Sequence, residues 1–159
     1  MKPYPINKVL IALDFDPTAQ KVAEVGYTFA KSLGAEIFLL HVIVDPVYYT
    51  SIESFPIIGY TGSLITPIEL LNTEETKKES GLFLEKIKHH LDDDSIQTLV
   101  KEGDFADNIL NAAEDLKVDM IVLGSHSKRW LEEIIMGSVT ESVLHRSTIP
   151  LFIIPTHKL

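Results

Sequence analysis

The sequence predicts an α/β fold, a three-layer sandwich in which an open five-stranded parallel sheet carries helices on both faces. Three observations point there. Short apolar segments alternate along the chain with stretches of helical spacing, the pattern of successive parallel crossovers. The second segment, "EIFLLHVIV", is apolar nearly throughout, as expected of a strand covered on both faces. At 159 residues, with 45% hydrophobic and 23% charged side chains, the chain suits one domain with one sizeable core.

The elements follow in order. "KVLIALD" (Lys8–Asp14) reads as a buried strand ending in an acid. "DPTAQKVAEVGYTFAKSLGA" then spaces Val22, Val25, Phe29 and Leu33 as a helix would, and Gly34 supplies its stop. Glu36–Val44 is the second strand. Residues 45–65 are irregular, rich in Pro, Gly and aromatic residues (Tyr48, Tyr49, Phe55, Tyr60), and connections of this length usually serve function. A helix starts at "TPIE", with Thr66 as cap, Pro67 in the first turn and Glu69 closing the capping box, and runs to about Leu91. Ser95–Gly103 is the third strand. Asp104 to Leu116 is a helix with Ile109, Leu110, Ala113 and Leu116 inward. Asp119–Gly124 is the fourth strand, a last helix runs to about Arg146, and Ile149–Pro155 is the fifth strand. No internal repeat or domain linker interrupts the pattern.

Composition narrows function. The formal net charge of −9 disfavours non-specific binding to nucleic acid or anionic membranes. The absence of cysteine removes disulfides, thiolate catalysis and cysteine-ligated metals. The amino terminus lacks the long apolar run of a secretory signal, and no segment reaches the roughly 20 apolar residues of a membrane helix, so a cytoplasmic location is expected.

Open parallel sheets bind ligands beyond the carboxyl ends of their strands, where the winding reverses. Asp14, Val42–Asp45 and Gly124 fall at such ends, and Asp14 and Gly124 share a crevice if the first and fourth strands are neighbours. Gly137-Ser138 stands at a helix start, where free N–H groups and the helix dipole favour an anion. Ser138 also suits a plain helix cap with Glu141 as partner. Asp14 suits ribose hydroxyls or a metal-bound water; it also suits the cap of the first helix, a role for which Asp16 is better placed. His126, Lys128 and Arg129 offer polar and cationic groups to phosphates, or stabilise and solvate the loop. "HHLDDD" (His89–Asp94) holds metal-compatible side chains that point in different directions at a helix end. Ser125 with His126, and Ser142 with His145, lack a third member of a hydrolase constellation, and no GxxxxGK[ST] loop is present.

The segments "KVLIALD", "LLHVI", "EGDFADNILNAAEDLKVDMIVLGSHS" and "MGSVTESVLHRSTIPLFIIP" resemble the universal stress protein family in order and spacing over nearly the whole chain. The family's nucleotide-binding branch has Gly, two residues, Gly, nine residues, then Gly followed by Ser or Thr. Gly124 matches the first glycine, Ser127 replaces the second, and Lys128 to Met136 lead to Gly137 and Ser138. The resemblance implies strand order 3-2-1-4-5. It implies an adenine nucleotide (ATP, ADP or AMP), with Mg²⁺ as a companion, contacted by Asp14 at the ribose, by the Val42 backbone and the Ala12 and Leu13 positions at the base, and by Gly124, Gly137, Ser138 and Val139 at the phosphates. It also implies a homodimer through the last strand, Ile149, Leu151, Phe152, Ile153 and Ile154, whose apolar edge pairing would cover. Ser127 costs on the order of 1 kcal/mol if its position needs positive φ.

The expected function is therefore a homodimeric stress-response regulator that binds an adenine nucleotide, with no named general base and at most slow ATP hydrolysis. The alternative is a protein-interaction module of the same fold that binds no nucleotide, its pocket filled by Ser127 and Trp130.

Overall fold

The computed structural model describes residues 1–43, 73–125 and 138–156. In chain order these form β1 (Lys8–Ala12), α1 (Ala19–Ser32), β2 (Glu36–Ile43), α2 (Thr73–His90), β3 (Gln97–Glu102), α3 (Phe105–Asp115), β4 (Met120–Gly124), α4 (Ser138–Arg146) and β5 (Leu151–Ile154). The five strands make one sheet in the order β3-β2-β1-β4-β5. Every pairing is parallel. The expected order and layering are both present.

The helices divide between the two faces. α1 and α2 cover Val9, Ile11, Ile37, Leu39 and Val122, contributing Val22, Ala23, Ala30, Leu84 and Ile87. α3 and α4 cover Leu10, Phe38, Leu40, Val42, Ile121 and Leu123, contributing Ala106, Ile109, Ala113 and Val143. Alternate residues of β1 and β2 therefore enter opposite cores, which is why these strands read as unbroken apolar runs.

α1 packs differently from its hydrophobic spacing. Val22 is buried, but Val25 and Leu33 are 37% and 45% exposed, and the buried face is otherwise Ala19, Ala23, Gly26 and Ala30. The small residues let the helix lie close on the sheet: a Cβ on Gly26 would stand 3.0 Å from both Ile11 Cδ1 and Val122 Cγ1. Phe29 instead meets Phe152 of β5 at 4.7 Å between ring centroids. Gly34 ends the helix with φ +69, and its N–H and that of Ala35 close on the carbonyls of Lys31 and Ala30.

Some boundaries and burials shift from expectation. β1 ends at Ala12: Leu13 keeps one bond to β2, and the chain bends at Phe15 and Asp16 toward α1. β5 begins at Leu151, because Ile149 belongs to a turn in which its N–H donates to Ser147 Oγ at 3.0 Å. Leu110 and Leu116 are half-buried rather than buried. The capping box at Thr66, Pro67 and Glu69, Val44, and the 45–65 segment with Tyr48, Tyr49, Phe55 and Tyr60 lie outside the described residues.

Candidate functional site

The switch point of the sheet lies between β1 and β4, where the chain's winding reverses. Their register, Ile11 opposite Val122, brings the carboxyl ends of both strands together. Leu13 N–H donates to the Leu40 carbonyl at 2.8 Å, so the exit from β1 also stays beside β2, close to Val42. On the other side the Thr140 hydroxyl, from the first turn of α4, donates to the Gly124 carbonyl at 2.9 Å. Ala12, Leu13, Asp14, Val42, Gly124, Ser138 and Val139 thus belong to elements that converge on one end of the sheet. His126, Ser127, Lys128, Arg129, Trp130 and Gly137 lie outside the described residues.

Asp16, not Asp14, secures the start of α1. Its Oδ1 accepts from Thr18 N–H at 2.8 Å and from Thr18 Oγ1 at 2.7 Å, while its carbonyl accepts from Ala19 N–H. Asp14 stands two residues past the end of β1, at the carboxyl end of the sheet. Burial, with the Asp16 carboxylate as a second cause, pushes Asp14 up to about 6 against the N–H groups that oppose the shift. A half-buried carboxyl poised there can accept hydrogen bonds from hydroxyls of a ligand.

Ser138 opens α4 and is exposed, so the helix presents its N-terminal end toward the same side as Gly124. Ser125 ties this region to the end of β5. Its N–H donates to the Ile154 carbonyl at 2.9 Å, and its Oγ accepts from Thr156 N–H at 3.1 Å. The sequence reading passed over Thr140 and His41. His41 carried a signal: it is a lone polar residue inside the apolar run of β2, and it is 4% exposed. Within "HHLDDD", His90 and Asp93 link elements. His90 bonds Glu24 at 2.6 Å, and Asp93 takes Lys31, Tyr27 and Ser95.

Fold and site together define the class of open, doubly wound α/β proteins with polar groups gathered at a switch point. The universal stress protein family model matches residues 5–155, and the chain belongs to that family. Universal stress protein YxiE of Bacillus subtilis is 32% identical, over 93% of this chain and 98% of its own. Universal stress protein MJ0577 of Methanocaldococcus jannaschii is also 32% identical, over 93% of this chain and 94% of its own. The solved structure of hypothetical protein MJ0577 superposes with a TM-score of 0.74 at 28% identity, covering 98% of this chain and 99% of that one. A universal stress protein solved in complex with cAMP shares the fold, with a TM-score of 0.61 at 14% identity, covering 96% and 99% of the two chains.

Proposed function

We propose that this protein binds an adenine nucleotide in the crevice between β1 and β4 and acts as a homodimeric stress-response regulator. What supports the reading most is the convergence of Asp14, Val42, Gly124 and the first turn of α4 at one switch point. The chemistry of each group suits its part. The Asp14 carboxylate accepts from ribose hydroxyls. The backbone at Val42, with Ala12 and Leu13, faces the base. Gly124, Gly137, Ser138 and Val139 offer N–H groups and the positive end of the α4 dipole to phosphates, which a chain of net charge −9 must bind by such local means. His126, Ser127 and Lys128 complete the phosphate side. Mg²⁺ would accompany the nucleotide as a companion of its phosphates. The cAMP complex is an adenine nucleotide held by a protein of this fold. Nucleotide would act by favouring one state of the loop and subunit surface over another, in proportion to its differential affinity.

The dimer half of the proposal rests on β5. It is an edge strand of the sheet, and Leu151, Phe152 and Ile153 are half-exposed along it. Val25 and Leu33 add exposed apolar surface on α1, beside the Phe29–Phe152 contact. The same surface favours a second reading, a protein-interaction module indifferent to nucleotide.

Calorimetric titration with ATP, ADP and AMP tests the first reading, beside the variant Ser138→Asp. Ser138 is exposed at a helix N-terminus, so an acid there supports the helix while repelling phosphate. The variant is expected to weaken ATP roughly tenfold and to leave adenosine unchanged. Absence of saturable wild-type binding at millimolar nucleotide would sink the proposal. A mass spectrum of the ligand carried through purification separates the two readings.

A further inference from the structure

We infer that His41 is the positioning residue of the crevice: its imidazole fixes the turn that presents Asp14. The inference rests on the nucleotide reading for its purpose and on geometry for its substance. His41 Nδ1 lies 2.8 Å from the Leu13 carbonyl oxygen. A carbonyl can only accept, so Nδ1 carries the proton, and the tautomer is set by this bond. Leu13 N–H is already given to the Leu40 carbonyl at 2.8 Å. Both polar groups of Leu13 are therefore held by consecutive residues of β2, one through backbone and one through the imidazole.

The same ring holds the other side of Asp14. Phe15 meets the imidazole edge-on, with centroids 4.5 Å apart, and Phe83 of α2 closes on both rings at 4.6 Å and 5.7 Å. Asp14 thus sits between two neighbours, Leu13 and Phe15, that are each in contact with His41. A leucine here would fill the core as well and would be cheaper to bury. It would leave the buried Leu13 carbonyl without its donor and release the peptide that leads into Asp14. Among the described residues His89, His90 and His145 are exposed, so this burial is particular to His41.

The test compares His41→Asn with His41→Leu. Asparagine places an N–H donor at the same bond distance from Cα as Nδ1, and leucine has none. In nucleotide-free wild type, nitrogen NMR of the imidazole is expected to show the Nδ1–H tautomer; the Nε2–H tautomer would overturn the inference. His41→Asn should bind ATP within about twofold of wild type, and His41→Leu about tenfold more weakly. The carboxyl-carbon titration of Asp14 should stay near that of wild type in His41→Asn and move toward 3.8 in His41→Leu. Wild-type titration and binding in His41→Leu, or an asparagine variant that behaves like leucine, refutes positioning. If wild type binds no ATP, the nucleotide reading fails, while the tautomer and the Asp14 titration still decide the role of His41. If His41→Leu does not fold, the asparagine variant and the tautomer decide it.

Discussion

Asp14 and His41 are both pushed toward neutrality by burial, with opposite consequences for stability. Asp14 is raised from 3.8 to about 6, so the native chain binds this proton more tightly than the unfolded chain does. Its contribution is greatest at low pH and is lost as pH rises through that window. His41 is held below its ordinary 6.5 by burial, against the Leu13 carbonyl that favours the proton. Its contribution is full above 6.5 and is lost as pH falls through the native value. Ionised Asp14 therefore costs the fold something at neutral pH. Asp14→Asn is expected to stabilise by about 1–2 kcal/mol at pH 7, read by urea unfolding, with the gain vanishing near pH 4. The same variant should weaken nucleotide binding. A destabilising charge kept at a crevice is what a binding role would require, and a variant that loses both stability and binding would contradict this account.

At the scale of elements, α1 shows how far hydrophobic spacing reaches. Val22, Val25, Phe29 and Leu33 announce a helix, and a helix is there, but its contact face is the small-residue stripe through Gly26. Periodicity reports which residues share a side; it does not report how near the sheet lies. Gly26→Val is expected to cost about 1–3 kcal/mol, because the gain of removing a helical glycine is about 1 kcal/mol or less and the branched side chain must displace Ile11 and Val122. Thermal unfolding checks this, and an unchanged melting temperature would mean that α1 can lift without loss. The far end of α1 is tied by Lys31 to Asp93, whose carboxylate also accepts from Ser95 and Tyr27 and is held well below its usual range. That link persists at neutral pH and is lost only in strong acid. Asp93→Asn should therefore lower stability more at pH 7 than in acid, the gap from wild type shrinking as pH falls below 3.8, as seen in parallel unfolding curves.

For the whole molecule, the prediction concerns the outer edge of β5. Ile154 is 3% exposed and packs in its own core, whereas Leu151, Phe152 and Ile153 are half-exposed along this edge strand. If two copies pair there, Ile153→Lys should convert a dimer to a monomer in sedimentation equilibrium and leave the circular dichroism unchanged. A wild-type monomer at micromolar concentration would reject the pairing. By itself, the sequence determined the order of elements, the burial of the central strands, the kinship carried by "KVLIALD" and "MGSVTESVLHRSTIPLFIIP", and Asp14 as the acid at a strand end. These depend on local spacing and residue type. Only the tertiary structure decided that β1 and β4 are neighbours, that α1 rides on glycine, and that His41 reaches the Leu13 carbonyl. Those depend on pairs such as His41 with Leu13, 28 residues apart, whose meeting is set by sheet order and packing distance, and neither is written in the neighbourhood of either residue.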